Sequence, residues 1–496
     1  MIRETFIDIL NSFLKERGFV KHQIDSYNNF VTRKVQKIVD EIETIKPDVP
    51  EVGSLKIKLR DVKFLSPRVI ESDGIEREVL PFECRLRNLT YASPLYIGCD
   101  VWINEIKNEK EYVHFGDIPV MVKSVLCPLS KMDENELIAN FEDPNDPGGY
   151  FIINGTERLM VIVEEISENK VIVDRVNVGT VEEIARIHSE KDGYIQRHLL
   201  ERRKDGIITI TFANVVRLPV VVLLKALGLE EDKDIALTIS LNEEIQDQFY
   251  INLVESEVSD SKEAKNYLIK HLKITKSPEK HEKIEKLLDK YLLPHIGQEK
   301  SFRMEKAIFL CKAIEKLIMF HLGKMDKDDL DHYSNKRLRL AGDLLEILFR
   351  TIMLGKWGLI TRINFNYVKS TKRGRLPPLK TVVEANVFTN QMISTMAIGT
   401  WPGNRSGVTQ RLDRMSYFKS ISHMRNIMSP LASSQEHFEA RELHPTNFGR
   451  ICAVETPEGA NIGLRKYLAL MSEVTFDLPK EEIDKIIENL PEYEKM

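Results

Sequence analysis

Cysteine is scarce in this chain and falls into no pattern. Cys84, Cys99, Cys127, Cys311 and Cys452 include no C-x-x-C pair and are odd in number. That excludes a zinc module or a disulfide frame and points to a reducing compartment, read here as cytoplasmic. Long apolar runs are missing too, with none near the roughly 20 residues a membrane-crossing helix needs. The opening MIRETFIDILNSFLKERGF carries acids and has no apolar centre followed by small residues, so no export signal is read. Several catalytic signatures are absent: no Walker-type phosphate loop, no H-E-x-x-H, no G-x-S-x-G and no dinucleotide fingerprint. A self-contained nucleotide hydrolase or metal hydrolase is disfavoured. Glutamine is rare, nine residues, beside abundant Lys, Glu and Ile, a leaning towards a heat-adapted source.

What is present suits a large globular protein. The 496 residues are 42% hydrophobic and 30% charged, with a net charge of −5, and the length predicts two to four domains. Residues 2 to 45 read as two helices, Phe6, Leu10, Phe13 and Leu14 sharing a face that Gly18 ends, with Tyr27, Phe30, Val31, Val35, Ile38 and Ile42 continuing the spacing. From Gly53 the period becomes two, through Leu55, Ile57 and Leu59, then Leu95 to Ile103, then Ile118, Val120 and Val122, which predicts half-buried strands. Asn154-Gly155 and Asp205-Gly206 each separate apolar runs and predict hairpins. Helical spacing dominates from about Pro219 to about Arg350, and the Lys/Glu-dense part of it reads as a solvated face. The fold class is α+β and multidomain.

The most informative stretch is 401–470. It is rich in turn residues yet holds Trp401, Tyr417, Phe418, Phe448 and Tyr467, and an ordered irregular segment is where sites concentrate. From Thr361 to Arg425 eleven Lys and Arg face only Glu384 and Asp413. Such local excess in an acidic chain calls for a polyanion, and the nearby Asn404, Gln410, Tyr417 and Phe418 add nucleic-acid contact groups.

Other candidates have blander readings. Asp328, Asp329, Asp331 and His332 offer ligands for a hard cation, but acids followed by Lys336, Arg337 and Arg339 fit a helix start better. Glu455 and Glu458 in E-T-P-E-G are conceivable acid/base groups, although Pro457 and Gly459 favour a rigid turn that aims one Glu into a neighbouring subunit's site. His332, His423 and His444 lie apart and each reads first as a hydrogen-bonded histidine. From residues alone, a nucleic-acid-binding scaffold ranks ahead of a metal-dependent phosphodiesterase.

Four longer blocks sharpen this. GGYFIINGTERLMV (148–161), DDLDHYSNKRLRLAGDLL (328–345), SGVTQRLDRMSYFKSISHMR (406–425) and HPTNFGRICAVETPEGANIGL (444–464) resemble, in order, the signature blocks of the second-largest, beta-like subunit of multisubunit DNA-dependent RNA polymerases. HQIDSYNNF (22–30) and LTYASPLYI (89–97) resemble its N-terminal part in archaeal and eukaryotic style. Because the chain stops soon after the E-T-P-E-G block, it is similar to the N-terminal half of the split archaeal form, B″.

The resemblance implies a discontinuous protrusion (1–175 and 340–395), a lobe (176–339) and a fork (396–496). It implies a transcription subunit that holds DNA and the RNA–DNA hybrid without being catalytic alone. Gln410, Arg411, Asp413, Arg414, His423 and Arg425 would line the hybrid, with Arg411 and Arg414 meeting phosphates. Leu330, Asp331 and Lys336 would meet a non-template base, Lys336 standing where bacterial relatives carry Arg, and Arg337 is a further nucleic-acid-binding candidate. Arg441, Arg450 and Glu458 would lie towards the side where nucleotides enter. No cofactor is expected in this chain, Mg²⁺ being held mainly by the largest subunit, whose D-x-D-x-D pattern is missing here. Expected partners are the C-terminal half of the subunit, the largest subunit, other polymerase subunits, DNA, RNA and general transcription factors, with no membrane.

Overall fold

The structure is a computed structural model that describes residues 2–49, 53–71, 73–191, 193–256, 258–272, 280–372, 376–403, 405–475 and 480–488. The chain divides into two units, one discontinuous (1–164 with 338–496) and one formed by the intervening residues 165–337. Among the described residues no helix is long and apolar enough to cross a membrane.

The discontinuous unit begins with the two helical stretches the spacing predicts. Helix Ile2–Arg17 ends at Gly18, whose φ of 62° a side chain would resist. Lys21–Asn29 then runs through a π turn into Val35–Glu41. Tyr27, Phe30, Val35 and Ile38 are fully buried against an antiparallel sheet of Leu55–Phe64, Ala92–Ile103 and Glu111–Pro119. That sheet carries the alternating Leu55, Ile57, Leu59 and Leu95, Ile97, Cys99 on its core face. The third predicted strand ends at Pro119; beyond it the Val120 N–H still bonds the Tyr91 carbonyl and the Val122 N–H the Tyr150 carbonyl, both at 2.9 Å, and Met121 bridges to Phe151. Helices Ala341–Leu354, Leu359–Thr371 and Ala385–Ile398 complete the core, where Phe30, Phe349 and Phe388 meet edge to face.

The early HQIDSYNNF block belongs to this core. Helix Ala341–Leu354 starts with bare N–H groups, and the first helices supply their acceptors: Gln23 Oε1 takes the Ala341 N–H at 3.2 Å and Ser26 Oγ the Gly342 N–H at 3.0 Å. A Cβ on Gly342 would stand 2.1 Å from the Ser26 carbonyl oxygen, so only glycine permits this approach. Gln23 also donates to the Met160 carbonyl (3.2 Å) and Tyr27 to the Pro119 carbonyl (2.9 Å). Residues 316 and 318 positions apart in sequence are thereby stitched at one buried junction.

Residues 165–337 form a five-stranded antiparallel meander, Val171–Val178, Val181–Lys191, Tyr194–Arg203, Ile208–Phe212 and Val215–Pro219. Helices follow, from the wholly buried Val220–Leu227 to the long Arg303–His321. Lys286 pairs with Glu282 one turn earlier at 2.8 Å, as a solvated Lys/Glu face should. The helix start expected at Asp328 is absent. The segment is a loop, a single 3-10 turn Tyr333–Asn335 and a strand Lys336–Arg339, and the next helix begins only at Ala341. The acids take local main-chain donors instead: Asp328 accepts from the Val173 N–H (2.8 Å), and Asp329 from the N–H groups of Asp331 (2.8 Å) and His332 (3.2 Å).

Candidate nucleic-acid interface

Two small sheets carry the loop-rich region. Asn154-Gly155, with φ of 48° and 71°, closes the predicted hairpin between Phe151–Ile153 and Thr156–Met160. Thr409–Arg411 adds to its open edge, antiparallel to Thr156–Met160. Asn426–Met428 then pairs with both Arg465–Tyr467 and the strand beginning at Ile162. Beneath the second sheet lies an ion pair, Lys466 Nζ to Glu164 at 3.2 Å, both side chains 10% exposed or less.

On this base Gln410, Asp413 and His423 form one hydrogen-bonded set. The Asp413 N–H donates to His423 Nδ1 (3.2 Å), so the proton of the neutral ring sits on Nε2, which reaches Gln410 Oε1 at 3.1 Å. Burial, together with the positive charges of Lys419 and Arg465, lowers the His423 pKa and keeps it neutral, against the opposing pull of Asp413. Gln410 Nε2 in turn donates to the Gly407 carbonyl (2.9 Å). The Asp413 carboxylate takes the Met415 N–H (3.0 Å), and its carbonyl accepts from Ser420 Oγ (2.7 Å). Ser416 caps helix Tyr417–Met424. The set fixes the loop between strand Thr409–Arg411 and helix Tyr417–Met424, from whose ends Arg411 and Lys419 stand exposed, neither making an ion pair among the described residues. Tyr417 and Phe418, 50% and 82% exposed, extend the same surface.

The remaining arginines have work inside the fold. Arg414 is gripped by Glu157 (2.7 Å) and Asp146 (2.9 Å) with its guanidinium 4.9 Å from the centre of the Tyr150 ring, so its charge is largely neutralised. Arg425 is 6% exposed and donates to the carbonyls of Phe19 (2.7 Å), Ala469 (2.5 Å) and Leu470 (3.2 Å). Burial lowers its pKa against the opposing pull of Glu455, and among the described residues no carboxylate pairs with it. Arg441 ties two loops together, donating to Ala460 (2.8 Å) and Ile462 (2.9 Å) on one side and Ser433 (3.1 Å) and Gln435 (3.3 Å) on the other. Arg450 stands exposed beyond a bond to the Thr446 carbonyl (3.2 Å). Elsewhere in the basic run, Arg362 pairs with Glu384 and Lys380 with Glu111, while Arg373, Arg375 and Asn404 lie outside the described residues.

The E-T-P-E-G segment is a turn, as its composition predicts. Thr456 Oγ1 accepts from the Gly463 N–H and donates to the Arg465 carbonyl, both at 3.0 Å. Glu455 accepts from Ser422 Oγ on the preceding helix, and Glu458 projects at the start of a 3-10 turn, Gly459–Asn461. Leu330, Asp331, Lys336 and Arg337 belong to the other unit. There Lys336 is 9% exposed, bonded to Asp331 at 2.8 Å, and Arg337 is exposed. Asp328 is bonded to Lys316 (2.7 Å), and these acids do not gather around a point. Among the described residues the one grouping of three metal-ligating side chains is Glu182, Glu183 and His321. Arg202 and Arg175 already lie 3.4 to 3.5 Å from its carboxylates, so the set does not fit a divalent cation.

The RNA polymerase beta subunit family matches residues 18–387, and RNA polymerase Rpb2, domain 3, matches residues 410–474. The chain belongs to the RNA polymerase beta subunit family. It is 40% identical over 483 residues to DNA-directed RNA polymerase subunit Rpo2 of Saccharolobus shibatae, covering 97% of this chain but 42% of that protein. It is 37% identical over 493 residues to subunit Rpo2N of Methanococcus vannielii and 36% identical over 501 to Rpo2N of Methanocaldococcus jannaschii, each covered over 98% of its length. The chain thus spans less than half of the Rpo2 relatives and nearly all of the Rpo2N ones. Within this beta-subunit chain, the domain 3 match begins at Gln410 and takes in the whole Gln410–Asp413–His423 set.

Proposed function

We propose that this chain is the part of a DNA-dependent RNA polymerase that holds nucleic acid beside the catalytic centre, as the N-terminal portion of a split second-largest subunit working in the cytoplasm. The observation that carries this reading is the Gln410–Asp413–His423 set, which spends its hydrogen bonds on fixing a loop and leaves Arg411, Lys419, Tyr417 and Phe418 turned outward within the domain 3 match. Cations on a rigid platform grip phosphates, and flanking rings suit bases. The protrusion (1–175 and 340–395), lobe (176–339) and fork (396–496) assignments belong to this proposal.

In nucleotidyl transfer, Mg²⁺ held by the largest subunit rather than by this chain would supply activation of the 3′ hydroxyl and charge for the leaving pyrophosphate. The chain's own task is alignment. Arg411 and Lys419 neutralise backbone phosphates of the hybrid, the neutral His423 holds Gln410 in place, and Arg441 keeps the loops at 433–435 and 460–462 in register. A displacement of about 1 Å at the reacting atoms costs on the order of a hundredfold in rate, so rigidity here is worth as much as contact.

The test is reconstitution. The chain, mixed with the remainder of the second-largest subunit, the largest subunit and the smaller polymerase subunits of a relative, should enter a complex that extends RNA on a synthetic hybrid scaffold. If the chain purifies as a monomer that binds nucleic acid equally well with or without those partners and never enters the complex, a stand-alone binding scaffold is the correct reading.

A further inference from the structure

The register of the small sheet brings two arginines face to face. Thr409, Gln410 and Arg411 oppose Met160, Leu159 and Arg158. The Leu412 N–H bonds the Glu157 carbonyl (3.0 Å) and the Val161 N–H bonds the Val408 carbonyl (2.9 Å). In an antiparallel ladder those bonded positions alternate with open ones, which puts Arg411 and Arg158 at an open position, where opposed side chains come closest, about 4.5 Å between Cα atoms. Like charges placed there repel.

Neither arginine has a carboxylate to relieve it among the described residues. Glu157, the nearest in sequence, points to the opposite face and is already shared by Arg85 and Arg414. On the far side of Arg158 its strand neighbour is the fully buried Phe151, which brings no charge. Arg158 Nε is enclosed and has no hydrogen-bond partner, a state that costs stability unless something occupies it. Arg411, by contrast, is exposed. One guanidinium reaching solvent and another half-buried behind it make a two-pronged site for a single oxyanion.

We propose that Arg158 and Arg411 together bind one phosphodiester group of the nucleic-acid strand held by this surface. The proposal rests on the function argued above and adds a residue, Arg158, that lies more than 250 positions from the loop it serves. The bound group is a backbone phosphate rather than a base, because two guanidiniums at one point present donors only and read no sequence.

The experiment uses the reconstituted polymerase on an RNA–DNA hybrid scaffold, with hybrid retention measured across a salt series, and the isolated full chain for urea unfolding. Arg158→Gln and Arg411→Gln should each reduce the slope of log binding against log salt by about one contact, roughly 0.7 to 0.9. The double variant should reduce it no further, because one phosphate is shared. Arg158→Lys should keep most of the slope. Arg411→Glu should move two readouts in opposite directions, raising the urea midpoint by pairing with Arg158 while weakening hybrid retention beyond Arg411→Gln.

An unchanged slope for Arg158→Gln, a double variant that loses two contacts, or an Arg411→Glu midpoint that does not rise would each overturn the shared site. All three leave the broader function standing. If the wild-type assembly holds no scaffold, both fall.

Discussion

Replacing Arg425 with alanine should unfold the discontinuous unit more readily rather than merely loosen its hold on nucleic acid. The side chain is 6% exposed and feeds three main-chain carbonyls, those of Phe19, Ala469 and Leu470. Leaving a buried acceptor unpaired costs about 1–3 kcal/mol. Three at once do not add fully, since water enters the space left by the side chain. The desolvation that lowers the Arg425 pKa is also recovered on removal. The net loss should be about 3 kcal/mol, within the range for breaking a buried charged network. Arg425→Lys, keeping the charge but losing the fork, should cost about half that. Urea unfolding followed by tryptophan fluorescence reads the right part of the molecule, because Trp102, Trp357 and Trp401 all belong to the discontinuous unit. A midpoint shift worth less than about 1 kcal/mol at unchanged slope, with hybrid retention nonetheless lost, would refute the structural role and return Arg425 to the contact surface.

Three further outcomes are expected. Burial and the neighbouring Arg425 charge lower the His22 pKa from 6.5 to about 3, so the unfolded chain takes up the proton first; stability is full above about pH 7 and falls by about 2 kcal/mol by pH 5, and His22→Asn should flatten that part of the urea-midpoint profile. Glu164→Gln alone, or Lys466→Met alone, should each cost about 3 kcal/mol by removing one side of a buried ion pair, whereas Glu164→Leu with Lys466→Met should cost clearly less than the two singles combined, as a double-mutant cycle would read. Arg441→Ala should speed amide hydrogen exchange in residues 429–444 and 456–463 with little change in global stability, since its four carbonyl partners sit on exposed loops.

Local physics in the sequence foretold the elements that local physics builds. Gly18 as a helix stop, Asn154-Gly155 as a tight turn and the alternation through Leu55–Leu59 and Leu95–Cys99 need only their own neighbours, and they form as read. The Asp328 segment misled because acids before basic residues suit a helix start, but the same carboxylates found main-chain donors as distant as Val173. The basic run misled in a related way. Eleven cations in sequence suggested one broad face, yet Arg414 pairs with Asp146 and Glu157, Lys380 with Glu111 and Arg362 with Glu384, partners that only the fold brings near. The Gln410, Asp413 and His423 candidates do converge, whereas the Leu330, Asp331, Lys336 and Arg337 group belongs to a different unit. Arg158 left no signal, since its relation to Arg411 is a matter of strand register between segments separated by the whole 165–337 unit and the helices after it.

The central claim is that the surface fixed by Gln410, Asp413 and His423 touches the hybrid. Photo-crosslinking tests it most directly: a scaffold carrying 4-thiouridine at successive RNA positions is bound to the reconstituted polymerase, irradiated, and the adducts are mapped by mass spectrometry. The account predicts adducts on this chain within residues 405–423, centred on Arg411 and Lys419. Adducts confined to other subunits, or falling on this chain only outside that segment, would contradict it.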